Sequence, residues 1–563
     1  MKSLAVETLR KSFGRDFTAA LIVVVMLVPQ SLAYAQLAGM PLQSGLYASV
    51  LPMIAYAVFG SSTTLSVGPV AVISLMTATA LAGIGAEDSS TYLLLAAWLA
   101  LISGGVLMLA GALRLGFVAN LMSHPVVAGF MTGAAILIVL GQLKTLLGME
   151  GEGETALQLG WSLLQHVHTV HTPTAMLGAC LLLLLWSVPR LVFLLGRRVR
   201  ASDRTLDLSR RLTPVVLIML SIIVMTTLGL DRSHGITVVG AIPAGLPDPG
   251  ITLPSRVQLE ALLLPALSIG LIAFVESVSV AQSLAMRRGE RIDPNAELRG
   301  LGAANLAAGL SAGFPVAGGL SRSIVNFSAG ARTRMAGVYA ALLMLAVVAF
   351  LTRAFSQLAH TVLAAAIILP ALGLVDLRIL REAWAFSRSD AWAYIGTAVG
   401  VMVLGIEIGI LCGVIFSLAT IQWRASNPHV AEIGRVPGTT HYRNVKRSDV
   451  VTYPHVLAIR VDGDFFFGNV RPVTMQIEQA LAARPGVTHL VLDLSAVNRI
   501  DLTGLEGLRE LNRSLRARQV TLHLAEVKGP VLDRLECSHL PQELARNPFR
   551  FLHEAFVALD AAH

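Results

Sequence analysis

Apolar residues fill the first three quarters of this chain in long runs separated by short polar breaks. A helix needs roughly 20 apolar residues to cross a bilayer. The runs at 17–36, 91–113, 124–143, 171–195, 212–230, 257–275, 335–352 and 390–424 are candidates for full spans, and the last is long enough for two short helices. Runs 45–59, 69–81, 297–311 and 320–330 are shorter and rich in small residues, and read as short or half-spanning helices. After Trp423 the pattern changes. VLAIRV (456–461), HLVLDL (489–494) and VTLHLAEV (520–527) read as buried strands, and TGLEGLRELNRSLRARQ (503–519) as an amphipathic helix. The division that follows is a polar N-terminus at 1–16, a membrane unit at 17–424, a polar linker at 425–455 and a soluble α/β domain at 456–563.

Residues 27–78 depart most from a plain lipid-facing pattern. They are apolar, yet they contain Pro29, Pro41, Pro52 and Pro69 among glycines, serines, threonines, glutamines and tyrosines. Broken backbone at membrane depth survives only where protein or a cavity satisfies its polar groups. In transporters such interrupted segments point to a substrate site. The stretch therefore suggests that a polar solute is handled inside the bilayer.

Composition agrees: 54% of residues are hydrophobic, 14% are charged and the mean hydropathy is +0.68, where soluble domains carry about 25% charged residues. The net charge of +8, from 43 basic and 35 acidic residues, reads as arginines in cytoplasmic loops. Nothing indicates a nucleic-acid surface, since basic and aromatic residues do not interleave. Cys180 and Cys412 lie in apolar runs and Cys537 in the tail, which gives neither a disulfide framework nor a metal site. No cleavable signal peptide is evident. Arg197, Arg198, Arg200, Arg204, Arg210 and Arg211 form one basic group, Arg287, Arg288, Arg291 and Arg299 a second, and Lys2, Arg10, Lys11 and Arg15 a third. The breaks at 86–90 and 149–154 are acidic and lack Lys and Arg. If basic loops face the cytoplasm, both termini are inside and the number of spans is even. A multi-pass protein of the cell (inner) membrane is expected.

The runs VPQSLAYAQLAGMPLQSGLYAS, TLSVGPVAVISLM (64–76), ESVSVAQSLA (276–285), IDPNAELRGLGAANLAAG (292–309) and GGLSRSIVNFSAGARTRMAG (318–337) resemble the SulP family of anion transporters. DGDFFFGN (462–469) and LVLDLSAVNRIDLTGLEGL (490–508) resemble the STAS domain that closes those proteins. The resemblance covers nearly the whole chain in the family's order. It implies a helical polytopic fold of fourteen membrane segments in two inverted seven-segment repeats, with a gate subdomain, a mobile core subdomain, a small cytoplasmic α/β STAS domain and a homodimer.

Two half-helices carry the candidate chemistry. One starts near Gly68-Pro69, because proline is tolerated in a first helical turn. The other starts near Gly318-Gly319. Each N-terminus offers free N–H groups and roughly half a positive charge, so two facing ends make an anion site without a charged side chain. Close helix packing is the competing reading of these glycines; the resemblance implies that the two segments, the third and tenth of the family, face each other. Val70, after Pro69, and Leu320 and Ser321, after Gly319, complete the two starts. Arg322 has no other charged residue between Arg299 and Arg332, and a lone arginine in an apolar helix costs about 2.5–3.5 kcal/mol on insertion scales. A bound anion compensates it; so do Glu276 or helix-end carbonyls. The family often carries a basic residue after the serine here.

Glu276 follows GLIAF (270–274) at the end of an apolar run. Burial disfavours its charge and a nearby arginine favours it, a competition that leaves the group able to take up protons. Its match to the family's acid in segment eight suggests a coupling role. Sodium-dependent relatives add hydroxyl-bearing neighbours to that acid, whereas Val280 and Leu320 offer none, which tilts the expectation to protons. The competing reading is a carboxylate at the cytoplasmic interface, solvated or paired with Arg287. Gln30 and Tyr34, four residues apart on one helix face beside Pro29, supply an amide, a ring and a hydroxyl suited to an oxyanion; helix packing is again the alternative. In the tail Thr503 reads mainly as a helix N-cap. The matching hydroxyl of stand-alone STAS relatives can be phosphorylated, although the serine usual before it is Leu502 here.

No triad, Walker loop or zinc spacing occurs, so no enzyme and no cofactor is implied. The expected function is secondary active transport of a small anion of the sulfate, bicarbonate or dicarboxylate class, proton-coupled and elevator-like. Alternatives are an anion exchanger, a sodium-coupled bicarbonate transporter, an anion channel of the same fold, a nucleobase permease and a membrane-bound sensor. Expected partners are the anion, protons, the lipid bilayer, a second copy of the chain and a cytosolic regulatory protein at the STAS domain.

Overall fold

The computed structural model describes residues 2–84, 88–120, 122–151, 153, 155–198, 203–242, 245, 252–538 and 540–560. Arg200, Glu87, Glu152 and Glu154 lie outside the described residues, as do the side chains of Lys2, Arg10, Lys11, Arg204, Arg210 and Arg211. The chain divides into two compact units, Met1–Ser417 and Leu418–His563.

The first unit opens with a long helix α1 (Lys2–Leu37), two short helices α2 (Leu42–Tyr47) and α3 (Leu51–Phe59), and a two-residue strand β1 (Val67–Gly68). Then come α4 (Ala71–Gly83), α5 (Ser89–Ala112), α6 (His124–Leu147), α7 (Ala156–Gln165), α8 (Thr172–Arg198), α9 (Asp203–Leu228) and α10 (Leu230–His234). The second half repeats the device of a strand feeding a short helix. It comprises α11 (Arg256–Met286), α12 (Pro294–Leu310), β2 (Ala317–Gly318), α13 (Leu320–Ala329), α14 (Met335–Ala346), α15 (His360–Leu372), α16 (Leu377–Phe386), α17 (Arg388–Leu404) and α18 (Ile406–Ser426). Among the described residues nine helical segments are long and apolar enough to cross a membrane.

Several expectations change here. Pro29 does not break its helix; α1 runs through it. The prolines that do interrupt the chain are Pro41, just before α2, and Pro52, at the start of α3. The run 257–275 is part of a 31-residue helix, so Glu276 lies inside α11 and not at its end. The run at 390–424, in line with its length, is two helices, divided at Gly405, whose φ of +88° suits glycine. The helix α15 was not expected. Its apolar run, 362–375, contains Pro370 and falls below the length that marks a full span. The 297–311 run forms α12, which packs closely on α5: a Cβ at Gly302 would meet the Met108 backbone nitrogen at 2.7 Å. Small residues permit that approach, as in other membrane helix pairs.

Among its described residues the second unit holds five strands, β3 (His429–Arg435), β4 (Tyr442–Asn444), β5 (Val456–Asp462), β6 (His489–Asp493) and β7 (Thr521–Ala525), in the order β4-β3-β5-β6-β7. β5, β6 and β7 are parallel, and β3 adds antiparallel to β5. Five helices complete it: α19 (Val470–Ala482), α20 (Leu502–Ala517), α21 (Gly529–Glu536), α22 (Leu540–Glu543) and α23 (Leu552–Asp560). Both sheet faces are covered, which is why these strands read as near-continuous apolar runs. Leu457, Ile459, Leu490 and Leu522 pack with Ile477 of α19 and Leu511 of α20. Ala458, Val491 and Ala525 pack with Phe556 of α23. The polar linker expected at 425–455 is thus a correction. It carries β3 and β4, whose alternating burial is too short and too polar to stand out in the sequence.

Candidate functional site

The two short strands organise the first unit. β1 pairs with β2 antiparallel, Val67 opposite Gly318 and Gly68 opposite Ala317. Because the strands run in opposite directions, the helices that follow them leave in opposite directions, and both N-termini stay beside the strand pair. Side chains fix the crossing. Ser277 accepts from the Gly318 N–H at 2.8 Å, and Ser323 accepts from the Ser66 N–H at 2.9 Å. Asn305, fully buried, accepts from the Val316 N–H at 2.9 Å and donates to its carbonyl at 3.0 Å.

Val70 is the N-cap position of α4 and Gly319 that of α13, and neither helix start has a side-chain cap. Their first N–H groups are left for another acceptor. Pro69 sits one residue before the cap position, not within the first turn as expected.

A cavity of about 420 Å³ opens at these two starts. It is lined by Gln30, Tyr34, Val70, Glu276, Gly319, Leu320, Ser321 and Arg322, all expected from the sequence. Gly68 and Pro69 do not line it. Gly68 stands 3.3 Å, measured from the Cβ it lacks, from Arg322 Nη2. The Pro69 carbonyl accepts from Arg322 Nη1 at 2.7 Å. Val280, one turn beyond Glu276, is buried and also outside the cavity lining. Sequence reading missed Ala71, Val72 and Ile324, and the wall made by Pro370, Ala371, Gly373 and Leu374 at the end of α15. The Pro-x-x-Gly punctuation of that segment was its available signal.

Arg322 is 2% exposed, and its Nε and Nη2 have no hydrogen-bond partner among the described residues. Gly319 makes room for it, since a Cβ there would meet Arg322 Nη2 at 2.9 Å and Nε at 3.1 Å. Glu276 Oε2 is likewise buried without a hydrogen-bond partner among the described residues. The site thus holds a cation with two open donors, a carboxylate with an open oxygen, a buried tyrosine, and two helix N-termini. Thr503 lies in the other unit, exposed, in the first turn of α20. The cap of that helix is Asp501, which accepts from the Gly504 N–H at 2.7 Å; its carboxylate takes the position that Thr503 was expected to fill.

Residues 13–397 match the model of the sulfate permease family, and residues 447–555 match that of the STAS domain. This chain belongs to the sulfate permease family. A probable sulfate transporter of Mycobacterium tuberculosis is 33% identical over 96% of this chain and 94% of its own length. Sulfate transporter 4.1 of Arabidopsis thaliana, a chloroplast protein, is 33% identical over 91% of this chain and 75% of its own. Among solved structures, the murine Solute Carrier 26 family member A9 anion transporter, in an inward-facing state, superposes with a TM-score of 0.86 at 20% identity, covering 97% of this chain and 91% of that one. The membrane domain of the cyanobacterial bicarbonate transporter BicA gives 0.60 at 24% identity over 72% of this chain and 97% of that one. The family member described here is therefore a multi-pass membrane protein of a transport family with a STAS domain, and not an enzyme.

Proposed function

We propose that this family member is a secondary active transporter of a small anion, of the sulfate, bicarbonate or dicarboxylate class. The anion binds at the starts of α4 and α13 beside Arg322. The carrying observation is the buried guanidinium of a cavity-lining arginine, two of whose nitrogens have no hydrogen-bond partner among the described residues. A first-turn arginine opposes its own helix dipole, so an incoming anion removes an existing strain. The names of the relatives, sulfate transporters among them, support that substrate class.

Two helix ends and Arg322 give roughly +2. An ionised Glu276 lowers that to about +1, and a protonated one restores it, favouring a divalent anion. Proton and anion then bind cooperatively, each raising the other's affinity by the same factor. Elevator-like movement of the core carries both across. We place the chain in the cell membrane with both termini cytoplasmic, as a homodimer, with the STAS domain open to a cytosolic regulator and Thr503 open to phosphorylation, which an N-terminal helix position tolerates.

The test is a radiotracer panel in proteoliposomes, with sulfate, bicarbonate and dicarboxylates under imposed pH and sodium gradients. Uptake is expected to rise as external pH falls and to ignore sodium. Glu276→Gln, which mimics the protonated acid, keeps anion binding and loses the pH dependence. Accumulation by that variant under a pH step, or a sodium requirement in the parent, contradicts proton coupling through Glu276.

A further inference from the structure

A second cavity, of about 340 Å³, lies along the far half of α4. The first cavity meets α4 at Val70, Ala71 and Val72, and the second meets it at Leu75, Ala78, Thr79 and Ala82. α1 repeats the division, with Gln30 and Tyr34 at the first cavity and Gln36 at the second. The two spaces are thus successive along the same pair of helices. In the proposed orientation the second faces outward, beside Gly151 and Gly153.

Its polar lining is specific. Gln142 is 5% exposed, and its Oε1 has no hydrogen-bond partner among the described residues. Lys144 donates to the Gly151 carbonyl at 3.2 Å, which leaves two of its three N–H donors. Thr79, Thr145 and Gln36 complete the polar surface, and no carboxylate lines it among the described residues. Glu150, in the neighbouring loop, is exposed and outside the lining, whereas Glu152, Glu154 and the side chain of Glu407 lie outside the described residues. One ammonium with amides and hydroxyls, in a partly enclosed space, is the donor set of an oxyanion site.

We propose that this cavity is a second anion site, an outer vestibule in which Lys144 and Gln142 hold a small oxyanion before it reaches Arg322. Amide orientation is free to follow the ligand, because Gln142 can present its NH₂ once an acceptor arrives. The site rests on the transport reading only for its direction.

The experiment uses the full chain in right-side-out vesicles, with Cys180, Cys412 and Cys537 replaced by serine and Thr79→Cys introduced. Membrane-impermeant methanethiosulfonates carrying a sulfonate or a trimethylammonium are applied outside, with rates normalised to a free thiol. The sulfonate reagent is expected to react roughly fourfold faster, the Coulomb effect of one unit charge about 10 Å away in water on reagents of opposite sign. Lys144→Gln brings the ratio to about one. Inorganic sulfate slows the reaction, and still does so in Arg322→Ala, which separates this site from the central one. A ratio of one or below in the parent, a ratio unmoved by Lys144→Gln, or protection that disappears with Arg322→Ala overturns the proposal. So does inertness to both reagents at Thr79→Cys and at a second position, Thr145→Cys.

Discussion

Arg322 occupies the first turn of α13, the end of a helix where a cation is disfavoured. It stays there because Gly319 and Gly68 leave room for the guanidinium and Pro69 accepts one of its N–H groups. That packing makes a graded expectation. Gly319→Ala puts a methyl within 2.9 Å of Arg322 Nη2, whereas Gly68→Ala reaches only 3.3 Å. The far end of a flexible side chain yields easily, so both variants should fold. Anion affinity should fall about tenfold for Gly319→Ala, the scale of a lost charge-assisted hydrogen bond, and less for Gly68→Ala. Equal affinities in scintillation binding would break the link between these glycines and the arginine. In the second unit His523 is 6% exposed, with one ring nitrogen 3.2 Å from a nitrogen of His489. Burial, then His489 and Arg546, push its pKa down to about 4. The unfolded chain, with a histidine near 6.5, binds more protons between those values. Stability of this unit is therefore complete above about pH 6.5 and declines as pH falls toward 4. The protection of β6 and β7 against hydrogen exchange in the full-length protein, with each rate divided by the intrinsic rate at that pH, should fall between pH 7 and pH 5, and His523→Leu should flatten that change. An equal loss of protection in both proteins would assign the effect elsewhere.

At the scale of elements, the strand pair is what makes two distant half-helices into one site. Asn305 anchors it through Val316, with a third bond to the Leu301 carbonyl at 2.9 Å. Asn305→Leu leaves the Val316 groups unpaired in a buried place, a loss of about 1–3 kcal/mol. It is expected to lower the melting temperature and weaken anion binding together, although Asn305 does not line the cavity; unchanged binding would show that the pair is dispensable. The elements were unevenly legible in the sequence. The half-helix starts were marked by Gly-Pro and Gly-Gly, because backbone interruption in an apolar run has few other purposes. The pairing of Val67 with Gly318 was not, since a two-residue ladder between positions 251 apart leaves no periodic trace. Length was the misleading signal at α15. Its run is short by the bilayer criterion, yet it supplies a wall of the site. At α20 the hydroxyl of Thr503 drew attention from Asp501, two positions earlier, which holds the Gly504 N–H.

Across the whole molecule, the membrane unit and the STAS unit separate near Ser417, and every candidate ligand group at the first cavity lies in the membrane unit. Composition and apolar runs were enough to reveal that division. They were not enough to place β3 and β4, which the polar segment 425–455 contributes to the sheet. They also placed Glu276 at the end of a helix when it lies about ten residues, or roughly 15 Å, before that end. Set inside α11, the acid and Arg322 share a cavity, the geometry on which the proposed proton coupling rests. The central claim is that Arg322 holds the transported anion. Equilibrium binding of radiolabelled sulfate to the purified full-length protein, compared between the parent, Arg322→Lys and Arg322→Ala, tests it most directly. The expected result is a loss of about tenfold or more in Arg322→Ala, a partial loss in Arg322→Lys, and an unchanged elution profile and melting behaviour in both. Parent-like affinity in a well-folded Arg322→Ala would contradict it.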